Sequence, residues 1–363
     1  MPWSPHFLRR LTQFALCALS LSGCAGTLQH ERRAMNAEVV LLSFGSVLGQ
    51  FHTEGGHAGN VGGLARRAAL VRSLRAQSGE VLHLDLGDFT ATPEAVDRGD
   101  WVSTEAVWDG VIAMGLDATI PGANELTDWR AYQSRIEASG VPIVCSNLLV
   151  REGARAKPVG RASLVVRVNG VRVALFGLVG EGAMGEAHPP RDLEFQRRPA
   201  VEVARALVPE LRERADLVVL MSQLDDDEIE GLLDAVPGID VVLCGRKVPW
   251  VQELTLEHAT IVQRTGTRGQ YAGCLHLVVD PVGQVVYAVA DNHRLGSDAP
   301  SDAVIEQQVD SLVAEFRAAR ESQFAIDRER RLNPAFQWRV ASPDAPYPPS
   351  PPARPKRVRV EPR

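Results

Sequence analysis

Residues 81–89 read Val-Leu-His-Leu-Asp-Leu-Gly-Asp-Phe, and this stretch decides the fold. Its first part is an apolar run of strand length, and Gly87-Asp88 places a flexible residue and a carboxylate where the run ends. In layered α/β proteins, ligands collect beyond the carboxyl ends of the strands. The stretch therefore predicts a buried strand that carries Asp88 to the edge of a candidate site.

The same strand character recurs on both sides of this stretch. Apolar, β-branched runs occupy residues 39–44, 143–146, 217–221 and 241–244. Helical patterns separate most of these runs, at residues 64–76, 104–114, 128–138, 201–214 and 227–235. Continuous apolar strands that alternate with amphipathic helices predict an α/β fold with a largely buried sheet.

Two hairpin patterns interrupt the alternation. Asn169-Gly170 separates two apolar runs and is a strong signal for a two-residue turn. Asp280-Pro281-Val282-Gly283 separates a second pair of runs. Antiparallel pairs of this kind predict a second sheet, so we expect a four-layer α/β/β/α sandwich over residues 37–296.

The first residues resemble a bacterial lipoprotein export signal. Two arginines precede an apolar run at residues 11–21, which is too short for a comfortable membrane span. The run ends in Leu21-Ser22-Gly23-Cys24, which resembles a lipobox. We expect residues 1–23 to be a signal peptide, Cys24 to carry lipid and residues 24–36 to form a tether. A plain secretory signal is the alternative.

Lipid at Cys24 would anchor the protein to the cell envelope, on the periplasmic side of the outer membrane in a Gram-negative cell. At the other end, residues 300–333 have the pattern of one long helix. Residues 342–363 contain eight prolines and are basic, which predicts a disordered or polyproline-like tail.

Charge and cysteine content limit the functional classes. The formal net charge of −6 over 363 residues is too mild to indicate nucleic acid as a partner. Beyond Cys17 and Cys24 the chain has three cysteines, an odd number for an exported protein. Cys145, Cys244 and Cys274 all lie in or next to apolar runs, so we expect buried free thiols, with one disulfide at most.

Six short segments together resemble the calcineurin-like metallophosphoesterases, in particular the N-terminal domain of bacterial 5'-nucleotidases. The resemblance covers roughly residues 38–295 and implies the four-layer sandwich with a two-metal centre at the strand ends. The segments are Gly62-Gly63-Leu64-Ala65-Arg66, Asp85-Leu86-Gly87-Asp88-Phe89, Gly122-Ala123-Asn124-Glu125, Ser146-Asn147-Leu148, Ser222-Gln223-Leu224 and Val236-Pro237-Gly238-Ile239-Asp240.

The metal ligands of that family are almost all replaced in this chain. The resemblance places the family's aspartates, histidines and asparagine at eight positions, of which Asp88 alone keeps its residue type. The eight positions are Ser46, Leu48, Asp88, Ala123, Asn124, Gln223, Arg246 and Val248. Glu125 and Asn147 also keep family residues, and we expect them to make scaffold hydrogen bonds.

The replacements predict that no two-metal centre forms. Leu48, Ala123 and Val248 offer no lone pair, and the fixed cation of Arg246 repels a metal ion. One carboxylate does not hold two divalent ions, so the sequence predicts no cofactor.

Arg246 suggests a substitute for the lost metal charge. A buried carboxylate without a partner is costly, and an arginine from a neighbouring strand end can form a forked ion pair with it. We therefore expect Asp88 and Arg246 to pair, or to hold a small anion. An exposed position for Arg246 in its loop is the alternative.

Two functions follow from the resemblance and its losses. The first is an envelope-anchored pseudoenzyme that binds or scaffolds an unknown protein or a small anionic ligand. The second is a divergent hydrolase of phosphate or related esters. Its rearranged site would hold Mn, Zn or Fe with Asp88, His52 and His57, where solvent-facing histidines are the plainer interpretation.

Overall fold

The computed structural model describes residues 35–50, 61–91, 108–246 and 252–332. The predicted signal peptide, most of the tether and the proline-rich tail lie outside these ranges. So do Cys24, His52, His57 and Val248.

The described chain alternates strands and helices. The strands are β1 (Ala37–Phe44), β2 (Val81–Asp85), β3 (Ala118–Thr119), β4 (Leu148–Glu152), β5 (Arg155–Pro158), β6 (Ser163–Val168), β7 (Val171–Val179), β8 (Leu193–Arg197), β9 (Leu217–Gln223), β10 (Val241–Cys244), β11 (Gln252–Glu257), β12 (Thr260–Arg264), β13 (Tyr271–Val279) and β14 (Val285–Arg294). The helices are α1 (Leu64–Ser78), α2 (Ala123–Thr127), α3 (Trp129–Ser139), α4 (Glu181–Glu186), α5 (Ala200–Arg214), α6 (Asp226–Ala235) and α7 (Ala303–Leu332).

The first main sheet has the strand order β14-β13-β1-β2-β3. Strand β1 lies in its centre, parallel to β2 and antiparallel to β13. Helix α1 packs on β1 and β2, and every residue of β2 is buried. Strands buried on both faces need apolar side chains throughout, which explains the continuous runs in the sequence.

The second main sheet has the order β11-β12-β10-β9-β7-β6. Strands β7, β9 and β10 run parallel, and α5 and α6 cover them with an apolar cluster that includes Phe176, Leu220 and Leu232. The two sheets contact each other through β12 with β13 and β11 with β14. Helices outside two facing sheets make the α/β/β/α sandwich that the sequence predicted.

One predicted strand, residues 143–146, is a crossing segment instead. Its backbone amides donate to both sheets: Val144 N to Thr119 O at 2.8 Å, and Ser146 N to Gly177 O at 2.8 Å. The apolar pattern correctly indicated burial. A segment that leaves one sheet for the other is buried like a strand but makes only isolated bridges.

The predicted turn at Asn169-Gly170 joins β6 and β7. Both residues have positive φ, 46° and 82°, as a type I′ hairpin turn requires. A smaller antiparallel sheet, in the order β5-β4-β8, follows the crossing segment.

The described residues up to Glu306 form one compact unit, and those from Gln307 onward belong to a second. At the start of α7, the carboxylate of Asp302 accepts hydrogen bonds from the backbone amides of Val304 and Ile305, as an N-cap does. In the described ranges, the structure has no helix with the length and apolarity that a bilayer crossing requires.

Candidate functional site

The loops after β1 and β2 meet at the carboxyl end of the first sheet. Three backbone hydrogen bonds join them: Ser46 N to Gly87 O at 2.9 Å, Leu48 N to Asp88 O at 2.8 Å, and Gly49 N to Phe89 O at 2.9 Å. The structure therefore brings Ser46, Leu48 and Asp88 to one place, as the resemblance implied.

The backbone at these three positions is strained. Ser46, Leu48 and Asp88 have φ values of 48°, 56° and 52°, in the left-handed region that side chains other than glycine rarely adopt. Each such residue costs about 1–3 kcal/mol and persists only where the surroundings enforce it. Strained backbone thus occurs at three of the positions at which the resemblance places metal ligands.

Glu125, at the start of α2, holds these loops together. Its fully buried carboxylate accepts hydrogen bonds from the backbone amides of Asp88 (2.7 Å), Gly122 (2.8 Å) and Thr90 (3.0 Å), and from the Thr90 hydroxyl (2.7 Å). Burial, followed by the nearby charge of Asp88, raises the pKa of Glu125 to about 7. Glu125 therefore fixes the backbone around Asp88.

Asp88 is fully buried among the same elements. Its Oδ1 accepts a hydrogen bond from the Asn124 backbone amide at 2.9 Å. A Cβ on Gly122 would lie 2.5 Å from the same oxygen, so glycine is needed there. The Asn124 side chain donates instead to the Thr90 carbonyl at 3.0 Å, and the Ala123 methyl is buried. Neither the Asn124 side chain nor the Ala123 side chain therefore offers a metal-binding atom beside Asp88.

Gln223 and Gly245 close the site from the second sheet. The Gln223 carboxamide donates to the Leu86 carbonyl, and the Ser46 hydroxyl donates to the Gly245 carbonyl at 2.9 Å. A Cβ on Gly245 would overlap the Leu86 carbonyl oxygen and would lie 2.8 Å from Gln223 Nε2. The strand ends of the two sheets thus touch each other directly.

The predicted ion pair between Arg246 and Asp88 is wrong, because Arg246 pairs with two other carboxylates. Its Nε donates to Asp225 Oδ1 and its Nη2 to Glu186 Oε1, each at 2.9 Å. Asp225 lies at the start of α6, and the Arg246 side chain is 14% exposed. The Arg246 guanidinium therefore pairs with carboxylates at the end of α4 and before α6, and not with Asp88.

Asn147 has the scaffold geometry expected from the sequence. Its side chain accepts from the Val179 amide at 3.0 Å and donates to the Val179 carbonyl at 2.9 Å. It also donates to the Arg198 carbonyl at 3.2 Å, and so joins the end of β7 to the segment before α5.

Sequence reasoning missed a buried cluster under the site. Arg67 of α1 is 3% exposed and lies 3.4 Å from Asp85 Oδ2, 2.9 Å from His83 Nε2 and over the Phe44 ring. Asp85 in turn accepts the Gly87 amide at 3.1 Å, next to Asp88. In the sequence alone, the adjacent arginines Arg66 and Arg67 suggest exposed charge on a helix.

The helical spacing carried the signal that would have placed Arg67 inside. It stands three residues after Leu64 and four before Val71, on the face that α1 buries. Burial lowers the pKa of Arg67 to about 10 and raises the pKa of Asp85 to about 6. Burial, then the Arg67 charge, lowers the pKa of His83, which keeps the imidazole neutral as an acceptor for Arg67.

Cys145, Cys244 and Cys274 are buried and free, as expected. Burial raises the pKa of each thiol to about 12, so none is a ready nucleophile. Among the described residues, no group of three or more His, Cys, Asp or Glu side chains is placed to hold a metal ion.

A two-metal centre does not fit the residues present. Such a centre needs several carboxylate, imidazole and amide ligands that converge on two ions. Here the oxygen- and nitrogen-bearing replacements Ser46, Asn124 and Gln223 donate to backbone carbonyls of the protein itself. Arg246 pairs with Asp225 and Glu186. The hydrogen bonds of Ser46 and Gln223 connect the strand ends of the two sheets to one another.

Comparisons with known proteins agree with this fold. No family model matches the chain. A curated relative, the uncharacterized metallophosphoesterase YunD of Bacillus subtilis, is 25% identical over 211 residues, which cover 56% of this chain and 43% of the relative.

Solved structures give the same result. A 5'-nucleotidase precursor from Thermus thermophilus superimposes with a TM-score of 0.66 at 19% identity, over 77% of this chain and 59% of that one. The sulfate thiohydrolase SoxB of Thermus thermophilus gives 0.64 at 16%, over 78% and 61%. The calcineurin-like phosphoesterase YfkN of Bacillus subtilis gives 0.62 at 18%, over 77% and 98%.

The chain spans less than half of the curated relative and about three fifths of the first two solved structures. The chain therefore has the fold of the calcineurin-like metallophosphoesterase superfamily, with 5'-nucleotidases among its structural neighbours.

Proposed function

We propose that this chain is a pseudoenzyme: a metallophosphoesterase-like domain that acts in the cell envelope as a binding or scaffolding module. The observation that carries the proposal is the hydrogen bonding of Ser46, Asn124 and Gln223. Each of these side chains occupies a ligand position and donates to a backbone carbonyl of the protein. A group that donates in this way does not offer the same hydrogen to a substrate, and a hydroxyl or amide is a weak ligand for a divalent ion.

The chemistry of this fold depends on its metals. Two ions clamp the attacking and leaving oxygens and generate hydroxide at neutral pH. Asp88 is the one family ligand that keeps its residue type, and a single carboxylate does not replace that clamp. Loss of the ions therefore removes the nucleophile and the charge stabilisation together.

The ion pairs of Arg246 favour a protein partner over a small anion. The Arg246 guanidinium is the cation that would attract an anion, and Asp225 and Glu186 already neutralise it at 2.9 Å. A phosphate would have to compete with both carboxylates for its charge. We therefore propose that the partner binds a surface of the domain rather than the closed strand ends.

The second candidate is a divergent hydrolase of phosphate or related esters. The strained backbone at Ser46, Leu48 and Asp88 favours it, since strain of this kind accumulates at functional sites. In this version a divalent Mn, Zn or Fe ion would be held by Asp88 with His52 and His57.

Elemental analysis and a hydrolysis assay separate the two candidates. The purified chain and its Asp88→Asn variant are measured for bound Mn, Fe and Zn, and then assayed on bis-(p-nitrophenyl) phosphate with added Mn²⁺. A pseudoenzyme binds metal below stoichiometry in both proteins and gives the same background rate. Stoichiometric metal and hydrolysis that Asp88→Asn abolishes would establish the hydrolase instead.

We also propose that Cys24 anchors the protein to the envelope through lipid. Supporting this are the lipobox-like Leu21-Ser22-Gly23-Cys24 and the short apolar run before it. In cells, mass spectrometry of the mature N-terminus should find acylated Cys24, and a Cys24→Ser variant should leave the membrane fraction. An unmodified mature N-terminus in the soluble fraction would indicate a plain secretory signal.

A further inference from the structure

Exposed apolar side chains concentrate at one lateral edge of the sandwich. Among the described residues seven large hydrophobic side chains are exposed, and four of them belong to β14 and the turn before it. A fifth lies on β11, which contacts β14 from the other sheet. The five are Leu256, Val282, Val286, Tyr287 and Val289. An apolar cluster of this kind on a soluble domain marks an interaction surface.

The backbone of β14 is also available for pairing. In the described part of the chain β14 is the last strand of its sheet, so one side of its ten-residue backbone has no neighbouring strand. Unpaired edges of this length recruit another strand unless charge, proline or a covering element protects them. Strand β14 has neither lysine nor proline, and its charged residues are confined to its last four positions. Its register shift against β13 lies at residues 285–287, so the regular part of the edge begins at Tyr287.

Another edge of the molecule shows such protection. Strand β5 is also last in its sheet, and its four exposed residues are Arg-Ala-Lys-Pro. Two cations and a proline discourage pairing there. Strand β14 lacks both the cations and the proline that protect β5 over the stretch that carries Tyr287 and Val289.

We propose that β14 is a homodimer interface, at which the β14 strands of two copies pair antiparallel about a twofold axis at Ala288. This register places Tyr287 opposite Val289 of the second copy, and Val289 opposite its Tyr287. Because alternate residues share a face, the four side chains form one continuous apolar strip. Aromatic and β-branched residues are a favourable cross-strand pair.

The ladder between β13 and β14 shifts register at residues 285–287, so regular pairing of the two copies is centred on residues 287–289. No charged side chains face each other in that stretch. The same patch of both copies forms the contact, as a twofold interface requires. The proposal does not depend on the loss of the metal centre.

Sedimentation of the purified chain tests the interface. Wild type should be a reversible dimer at micromolar concentrations. Tyr287→Lys should raise the dimer dissociation constant at least about tenfold, because the new charges lie in the apolar strip. Val304→Lys is the matched control, since Val304 is 67% exposed against 59% for Tyr287 but lies at the start of α7. Circular dichroism checks that each variant folds.

Cross-linking tests the register. With Ala288 at the twofold axis, Ala288→Cys should form a disulfide-linked dimer under mild oxidation, while Val304→Cys should give the wild-type background. The native Cys145, Cys244 and Cys274 are buried and do not compete, and Cys17 and Cys24 are replaced by serine in every protein compared. The proposal is overturned if wild type is monomeric, if Tyr287→Lys dimerises as Val304→Lys does, or if Ala288→Cys cross-links no better than the control. A monomer with β14 amides protected from hydrogen exchange would assign the edge to the same chain.

Discussion

Two arginines near the strand ends around Asp88 make ion pairs in different surroundings, one buried and one partly exposed to solvent. Arg67 is 3% exposed and shares its guanidinium with Asp85 and His83 beneath the loop that carries Asp88. Arg246 pairs with Asp225 and Glu186, whose side chains are about half exposed, on the outside of the same strand ends. Both ion pairs use arginine, but the carboxylate that pairs with Arg67 is buried and the carboxylates that pair with Arg246 are in contact with water.

The comparison shows which of the two ion pairs should contribute more to the stability of the region around Asp88. Removal of one partner from a buried pair leaves an uncompensated charge in a poor dielectric, whereas water compensates a surface charge. Asp85 also accepts the Gly87 amide, so Arg67 supports the backbone next to Asp88. Arg246, for which the sequence predicted an ion pair with Asp88, instead connects Glu186 of α4 with Asp225 at the start of α6.

The largest expected effect is on the buried pair. Arg67→Met keeps an unbranched apolar side chain but leaves the Asp85 carboxylate without its cation. The free energy of unfolding should fall by about 3–5 kcal/mol, measured by urea denaturation.

A second substitution makes that result specific to charge. Asp85→Asn keeps an oxygen that accepts the Gly87 amide, so the double variant Arg67→Met/Asp85→Asn should recover part of the loss. If both variants are equally destabilised, the effect of Arg67 comes from packing on Phe44 rather than from its charge.

The pH dependence of stability should follow from the same buried region. Asp85 and Glu125 have pKa values of about 6 and about 7, above those of the unfolded chain. On these two carboxyls the folded state keeps protons that the unfolded state releases, so their contribution to stability falls as the pH rises through this range. Burial raises the pKa of Asp117 and Asp240 in the same direction. The buried imidazole of His83, whose pKa is lowered, contributes in the opposite direction.

Thermal unfolding should therefore give a higher Tm at a pH of about 5.5 than at about 8. Glu125→Gln does not titrate and should show a smaller difference between the two conditions. A Tm that rises steadily toward pH 8 in the wild type would contradict this expectation.

Loss of the Gln223 hydrogen bond between the two sheets should have an intermediate effect on the free energy of unfolding. Gln223→Leu removes the donor to the buried Leu86 carbonyl and should cost about 1–3 kcal/mol in urea denaturation. Gln133→Leu, which removes an exposed side-chain amide from α3, is the control and should stay near wild type. Equal stability of both variants would mean that the Gln223 bond does not stabilise the contact.

The smallest effect is expected at the surface pair. Arg246→Met should lower the free energy of unfolding by about 1 kcal/mol or less, because Asp225 and Glu186 regain water. The loss should shrink further at high salt. A loss as large as that of Arg67→Met would erase the distinction between the two arginines.

Much of the fold could be predicted from local patterns. The strand runs around β1, β2, β9 and β10, the Asn169-Gly170 turn and the α/β order follow from apolar periodicity and turn chemistry, which act over a few residues. Residues 143–146 could not be assigned correctly, because burial between two sheets gives the same apolar pattern as a strand.

The candidate site divides in the same way. Motif positions identified Ser46, Leu48, Asp88, Asn124 and Gln223 as the residues that would meet. Their hydrogen-bond partners could not be predicted, since most belong to segments distant in sequence. The bond from Ser46 to Gly245 spans 199 residues, and the bond from Gln223 to Leu86 spans 137.

By itself the sequence determined the layered fold, the positions of the strand-end loops and the scarcity of metal-binding side chain types at the positions that the resemblance assigns to ligands. Those properties depend on side-chain type and on short-range pattern. Only the tertiary structure decided that Arg246 pairs away from Asp88, that Arg67 is buried beneath it and that β14 is an open apolar edge. Ion pairing and edge exposure depend on which distant segments pack together, and the free energy of each pair is set by the solvent that this packing excludes.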